Sequence, residues 1–267
     1  MKRTIKSDSL SAFVDELQAN GRYSFTLDEV RALPGRSKKG IQAALGRLKQ
    51  QGRIVSPRRG FLVIVPVEYK KSGCPPTSWF VDDLMRFMQQ PYYVGLLSAA
   101  ALHGAAHQQP MAFQVITDRP ARPARAARVR IEFHMNRAVD SVPIVEMQTE
   151  TGSMRVSTPA VTAFDLVRYA RTAGHLSNVA TVLGELGEKL DANALVEAAA
   201  FYSVPDTQRL GYLLDVIGHH QLSAPLWDWL AERRYRAVSL VSGRPANDTR
   251  ADPRWKVHVN EDVEADL

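Results

Sequence analysis

Residues 26–50 read TLDEVRALPGRSKKGIQAALGRLKQ, and this stretch decides the fold of the N-terminal part of the chain. Thr26 and Glu29 form a capping-box pattern, which predicts that a short helix starts after Thr26. Pro34-Gly35 ends that helix, and Ser37 is a typical N-cap for the next one. Two helices joined by a tight turn are therefore predicted.

The second of these helices has an apolar stripe at Ile41, Leu45 and Leu48, which predicts the side that faces a core. At about 100° per residue, the opposite side must then face solvent. That predicted solvent face consists of Lys39, Gln42, Ala43, Gly46 and Gln50.

The flanking residues complete a known pattern. An apolar i, i+3, i+4, i+7 stripe over residues 10–17 predicts a first helix, and residues 22–26 (RYSFT) read as a short strand. Residues 53–57 and 60–65 read as two strands joined by a turn at Arg58-Arg59-Gly60. The order helix, strand, helix, helix and hairpin predicts a winged helix-turn-helix in residues 1–70.

The remaining sequence predicts a larger mixed domain, so that the fold class is α+β. Residues 68–76, with a double proline, are typical of a linker, and a C-terminal domain is expected over residues 71–267. Within it, residues 111–157 are rich in predicted strands and residues 158–236 in predicted helices. Residues 91–104 are predicted as one helix, and the polar tail from residue 248 is expected to be loosely held, with Trp255 as one anchoring contact.

Charge is distributed unevenly along the chain. Residues 1–73 carry 15 Lys and Arg against 6 Asp and Glu, a net charge of +9, whereas the other 194 residues carry 19 against 22, a net charge of −3. A basic module favours a polyanionic partner, because Lys and Arg that face phosphates release condensed counterions. The alternative is an ordinary basic surface.

The basic residues cluster where a winged helix meets a DNA duplex. The predicted DNA-binding residues lie at the start of the second helix and at the tip of the wing: Arg36, Ser37, Lys38, Lys39, Gln42, Arg58 and Arg59. Ala43 and Gly46 are small enough for the helix to approach the groove closely. The alternative interpretation is a solvated basic helix in a winged helix that contacts protein.

A second basic patch interrupts the mildly acidic part of the chain. It consists of Arg119, Arg122, Arg125 and Arg128, together with Arg130, in a segment rich in Pro and Ala. This pattern predicts a mobile loop, which either is solvated or contacts flanking DNA or an acidic protein.

Catalytic, cofactor and metal sites are not predicted. His103 and His107 are four residues apart, but Gly104 stands where a zinc-binding H-E-x-x-H helix has its glutamate, so a solvated loop pair is expected. Asp118 and Glu132 could be the acids of a nuclease, although no lysine follows Glu132 two residues on. Phosphate-binding glycine loops, G-x-S-x-G and C-x-x-C are absent from the sequence.

Composition indicates a cytoplasmic protein. The first ten residues lack the apolar stretch of a signal peptide, and the single cysteine, Cys74, cannot form an intrachain disulfide. No run of about 18 apolar residues is present, so a membrane span is not expected.

Three phrases in the C-terminal part carry a family resemblance: PYYVGLLSAAALHG (91–104), RVSTPAVTAFDLVRY (155–169) and TQRLGYLLDVIG (207–218). Together with the winged helix, they resemble the AbiEi antitoxins of the AbiE type IV toxin-antitoxin (abortive infection) systems. The resemblance implies a repressor that binds inverted repeats of double-stranded DNA in its own promoter. It also implies a C-terminal domain that opposes a toxin with a nucleotidyltransferase fold, with no need for a stable complex.

These expectations define a transcriptional autorepressor and antitoxin that is not an enzyme. The alternatives are a winged-helix regulator whose C-terminal domain senses a ligand or a protein, and a winged-helix nuclease.

Overall fold

The computed structural model describes residues 9–105, 110–245 and 250–266. The chain divides into two compact units. Unit 1 comprises Met1–Tyr92, Met111–Arg137 and Glu146–Arg155, and unit 2 comprises Tyr93–Pro110, Ala138–Val145 and Val156–Leu267. Helices and sheets are both present, which confirms the predicted α+β fold class. The domain boundary near residue 70 stays a prediction.

The first six elements follow the predicted order of a winged helix. They are α1 (Leu10–Ala19), β1 (Ser24–Thr26), α2 (Leu27–Arg31), α3 (Lys38–Gln50), β2 (Ile54–Arg58) and β3 (Phe61–Ile64). β3 lies between β1 and β2 in an antiparallel three-stranded sheet, with Ser24 opposite Val63 and Ile54 opposite Ile64.

The two predicted helix starts are capped as the sequence indicates. The Thr26 hydroxyl accepts a hydrogen bond from the Glu29 N–H at 3.2 Å, and the Glu29 carboxylate accepts one from the Thr26 N–H at 2.7 Å. The Ser37 hydroxyl accepts from the Gly40 N–H at 3.1 Å. Each cap satisfies backbone donors that the first helical turn leaves without partners.

The apolar stripes of α1 and α3 form one core with residues from β1, α2, β2 and β3. Its buried members are Leu10, Phe13, Val14, Leu17, Phe25, Val30, Ile41, Leu45, Leu48, Ile54, Leu62 and Ile64. The rotation of α3 about its axis is fixed by this core, because its three apolar residues can only face inward.

The segment predicted as a linker is packed within unit 1. Short 3-10 helices span Val67–Tyr69 and Thr77–Trp79. The Trp79 ring lies 4.8 Å from the Tyr23 ring and 5.3 Å from the Tyr69 ring, measured between centroids. These aromatic contacts, one of them between residues distant in sequence, hold the segment against the N-terminal elements, whereas its sequence is typical of a linker.

The other elements follow in chain order. They are α4 (Val81–Met88), β4 (Tyr92–Val94), α5 (Leu96–Leu102), β5 (Phe113–Thr117), β6 (Ala124–Ala126), β7 (Val129–Met135), β8 (Ile144–Thr149), β9 (Gly152–Ser157), α6 (Pro159–Arg168), α7 (His175–Leu186), α8 (Ala192–Ala199), α9 (Val204–Val216), α10 (His220–Ala231), β10 (Val238–Ser239) and β11 (Val257–His258).

Two groups of three strands follow from the pairing. In unit 1 the order is β6-β7-β5, in which β7 is antiparallel to β6 and parallel to β5. The second group has the order β4-β9-β8, and β4 is parallel to β9, with Val94 opposite Val156.

The single helix predicted for residues 91–104 is wrong in its first part. Tyr92–Val94 form β4, Gly95 is extended, and Leu96 has a φ of 55°, so the helix starts only at Leu96. Aromatic and β-branched side chains favour the strand, and pairing with β9 satisfies its backbone.

Unit 2 is built mainly from helices. α6 packs against α7, α8 and α9, and α10 packs against α8 and α9. Contrary to the predicted loose tail, β11 pairs in parallel with β10, and Trp255 is 1% exposed. A Cβ atom on Gly211 of α9 would collide with the Trp255 ring, so this helix must have a glycine where the tryptophan packs. The predicted anchoring role of Trp255 is confirmed.

Within the described ranges, no helix is long and apolar enough to cross a membrane.

The core predicts the effect of shortening one α3 side chain. Leu45→Ala should lower the free energy of unfolding by about 2 to 5 kcal/mol, because it leaves a cavity in the core. Lys49→Ala, on the exposed side of the same helix, is the matched control and should change it by less than about 0.5 kcal/mol. Denaturant unfolding of both variants measures the difference. Equal stability of the two variants would contradict the described rotation of α3.

Candidate DNA-binding surface

The outward face of α3 is exposed as predicted. Lys39, Gln42, Ala43, Gly46 and Gln50 all lie on the solvent side. Lys38 is also exposed, Arg36 is half-buried, and the Ser37 hydroxyl caps the helix. The positive end of the helix dipole adds to the charge of the two lysines, which makes this end attractive to anions.

One of the two arginines at the wing tip is exposed. Arg59 is exposed, whereas Arg58 is half-buried, and its Nη1 donates to the Arg122 carbonyl oxygen at 3.4 Å. Gly60 has a φ of +89°, and a Cβ there would lie 3.2 Å from the Phe87 ring, so the turn requires glycine for its backbone and for its close approach.

The second basic patch lies beside the wing in unit 1, and part of it is a strand. β6 contacts β2, the first strand of the wing. Ala124 and Ala126 are buried and Arg125 between them is exposed, as expected for alternating strand residues. The prediction of a mobile loop is therefore wrong at β6, and the two basic clusters adjoin each other.

Not every arginine of the patch is available to a ligand. Arg119 donates from Nη2 to the Gln89 carbonyl oxygen at 2.7 Å, and Arg130 pairs with Glu132 at 2.6 Å. Arg122, Arg125 and Arg128 are exposed, and within the described residues their guanidinium groups have no ion pair. These three residues and the wing arginine Arg59 are exposed cations of unit 1, as are Lys38 and Lys39.

The two candidate nuclease acids do not converge. In the parallel pairing of β5 with β7, Glu132 lies opposite Gln114, four residues before Asp118. Four strand residues span about 13 Å. The Glu132 carboxylate is held instead by Arg130, which leaves no paired-acid site at these positions.

The histidines also differ from their predicted settings. His103 is half-buried, and its Nε2 lies 2.7 Å from the Ser157 carbonyl oxygen, so it is not a solvated loop residue. His107 lies outside the described residues. His220 pairs with Asp215 at 3.1 Å, a partner that sequence reasoning missed. No group of three or more potential metal ligands occurs in the part of the chain that the structure describes.

Asp215 joins α9 to the C-terminal segment. Its carboxylate accepts hydrogen bonds from the Trp255 indole N–H at 2.7 Å and from Arg254 at 3.0 Å, and also from the Ser223 hydroxyl. Burial by itself would raise the pKa of Asp215, but the donors from Ser223, Trp255 and His220 outweigh it and lower the pKa.

A second carboxyl group, that of Asp165 on α6, is fully buried in unit 2. The Tyr202 hydroxyl donates to its Oδ1 at 2.8 Å, and the Tyr202 ring stacks on Phe164. Burial raises the pKa of Asp165 to about 7, against the opposing effect of the tyrosine hydrogen bond. Sequence reasoning did not single out this residue, although an aspartate inside the apolar run AVTAFDLV was a visible signal.

These features define an α+β protein in which the N-terminal elements follow the order predicted for a winged helix and adjoin a basic strand, and in which the second unit is mainly helical and contains buried carboxyl groups. Residues 93–216 match the family model of the AbiEi antitoxin C-terminal domain. This segment is therefore similar to that family of antitoxin domains, and the resemblance carried by the three sequence phrases is confirmed.

The fold is also similar to a solved structure. The crystal structure of the RV2827C protein from Mycobacterium tuberculosis aligns with a TM-score of 0.65 and 16% sequence identity, covering 96% of this chain and 92% of that one. At this identity the likeness concerns the fold alone. No curated protein matched the chain.

Asp165 should make stability depend on pH. The folded-state pKa of about 7 lies above the unfolded value of 3.8, so the stabilisation is complete below about pH 4 and is lost as the pH rises through 7. Asp165→Asn cannot ionise and keeps an acceptor for Tyr202. Its melting temperature relative to the parent chain should therefore be higher at pH 8 than at pH 5.

Differential scanning fluorimetry at the two pH values measures this difference. Asp228→Asn, on the exposed side of α10, is the control. A relative melting temperature of Asp165→Asn that is equal at both pH values would refute the buried-carboxyl account.

Proposed function

We propose that this chain is the antitoxin of a type IV toxin-antitoxin system and the transcriptional repressor of its own operon. The observation that carries the antitoxin role is the match of residues 93–216 to the AbiEi antitoxin C-terminal domain. That family is one of antitoxins rather than of enzymes. The partner in this proposal is a toxin with a nucleotidyltransferase fold, whose effect the antitoxin opposes without a stable complex.

Growth of cells tests the antitoxin role. The nucleotidyltransferase-like protein of a neighbouring gene should arrest growth when expressed alone, and expression of the full chain should restore it. A chain that represses its promoter but gives no protection would be a regulator with a sensing C-terminal domain, the alternative to this proposal.

The proposed repressor role is supported by the exposed basic residues of α3 and the wing. We infer that the first turns of α3 enter the major groove, where Lys39 and Gln42 reach phosphates and base edges. Ala43 and Gly46 on the same face allow close approach of the helix axis. Arg59 at the wing tip contacts the DNA backbone, and this cationic surface is extended by Arg125 of β6 and by Arg122, which precedes that strand.

Substitutions on α3 should separate base reading from backbone binding. Gln42→Ala should cost about 1 to 3 kcal/mol on the promoter repeat and leave binding to a random duplex almost unchanged. Lys39→Ala should weaken both and reduce the slope of log affinity against log salt concentration by about one unit. Fluorescence anisotropy on both duplexes over a salt series measures these effects. Equal losses on both duplexes for Gln42→Ala would reject base reading by this residue.

The arginines of β6 and of the residues just before it should add non-specific affinity for DNA. Replacing Arg122 and Arg125 together by Gln should weaken promoter binding and reduce its salt slope by up to about two units. Arg119→Gln is the control, because that side chain is bonded to the Gln89 carbonyl and should matter less. The same anisotropy series distinguishes the variants. Unchanged affinity of the double variant would remove the β6 patch from the DNA-binding surface.

A further inference from the structure

Unit 2 contains a cleft of about 470 Å³, and the proposed function assigns no role to its residues. It lies where the end of α6, the start of α7, α9 and the segment after β10 come together. Its lining residues are Val167, Arg168, Tyr169, Ala170, Arg171, Thr172, His175, Leu176, Arg209, Leu240, Val241, Ser242, Arg244 and Glu261. Such a volume falls in the range of small-molecule sites.

The charge of the lining is strongly positive. Four arginines, at positions 168, 171, 209 and 244, and a single glutamate line the cleft, which gives the lining a net charge of +3; Asp206, which is not a lining residue, pairs with Arg209. The 194 residues after position 73 have a net charge of −3. The positive charge of the lining is therefore opposite in sign to the net charge of that part of the chain. Convergent positive charges in a concave site favour an anionic ligand.

Two of these arginines are held by backbone carbonyl groups. Arg209, whose side chain is 15% exposed, donates from Nε to the Ser239 carbonyl oxygen at 3.0 Å, and Arg171 donates from Nη2 to that of Ser242, also at 3.0 Å. Burial lowers the pKa of Arg209, against the opposing effect of the Asp206 carboxylate, which pairs with this guanidinium at 3.7 Å. Guanidinium groups held in this way are suited to bidentate recognition of phosphate.

The start of α7 adds a separate preference for anions. His175 and Leu176, the first two residues of this 12-residue helix, line the cleft. The N-cap is Gly174, and no side chain caps the first turn. The His175 N–H already donates to the Ala170 carbonyl oxygen at 2.7 Å, so the start of α7 contributes the positive end of its dipole to the space that the arginines line.

One wall of the cleft carries its own carboxylate. Glu261 pairs with Arg244 at 2.6 Å. The segment that follows is held along α7, because the Glu264 N–H donates to the Ser177 hydroxyl and the Asp266 N–H to the Thr181 hydroxyl. An incoming anion would compete with Glu261 for Arg244.

We propose that this cleft binds a small molecule of nucleotide size that carries a di- or triphosphate. The phosphates contact Arg171, Arg244 and the start of α7, and the organic part packs against the half-exposed ring of Tyr169 and neighbouring apolar residues. The cleft is larger than a single phosphate group requires. Its positive charge favours a ligand with more than one negative group. This site does not depend on the proposed DNA-binding role.

Isothermal titration calorimetry of the full chain tests the proposal with three probes: pyrophosphate, ATP and adenosine. Pyrophosphate and ATP should bind with submillimolar dissociation constants, and adenosine should not. Arg171→Gln and Arg244→Gln should each weaken ATP binding about tenfold, the effect expected for one charge-assisted contact. Glu261→Gln should tighten it, a gain that misfolding cannot produce.

The matched control distinguishes this cleft from the basic surface of unit 1. Replacing Arg122 and Arg125 by Gln removes two exposed charges there and should leave ATP binding unchanged. The proposal is overturned by an absence of heat with ATP at millimolar concentration, by equal binding of adenosine, or by weaker ATP binding in the Glu261→Gln variant. It is also overturned if the unit 1 variant loses ATP binding as the Arg171 variant does.

Discussion

Burial of Ile41, Leu45 and Leu48 is the constraint on which the N-terminal surface depends. Once these three side chains face the core, the orientation of the helix about its own axis is fixed. The lysines at its start must then face solvent. The Ser37 cap sets where that helix begins, and hence which residues lie in its positive first turn. Position in the sequence alone does not make these residues a surface; the core packing does.

An equivalent constraint in unit 2 is the contact between α9 and the C-terminal segment. The absence of a side chain at Gly211 admits the Trp255 ring, and Asp215 one turn later accepts the indole N–H. This combination of close packing and a charge-assisted hydrogen bond positions residues 250–266, including Glu261 at the cleft. The residues that line the arginine-rich cleft therefore come from segments almost 100 positions apart in the sequence.

Local signals predicted most of the winged helix, because caps, apolar periodicity and turn residues act over a few positions. Sequence reasoning failed where contacts between distant segments decide the structure. Tyr23 and Trp79 pack together and turn an apparent linker into a folded segment, and β6 became a strand by pairing with β7 although its composition resembles a loop. Sequence periodicity likewise did not predict that Arg122 lies beside the wing.

Repression and protection against the toxin are proposed as two separable activities of one chain, and a single assay in growing cells tests this directly. The full chain with Lys38, Lys39 and Arg59 replaced by Gln would be expressed beside the neighbouring toxin, in cells that carry its own promoter fused to a reporter. The account predicts a fully derepressed reporter together with growth as good as that given by the parent chain. Loss of growth protection in proportion to the loss of repression, at equal protein level, would contradict it.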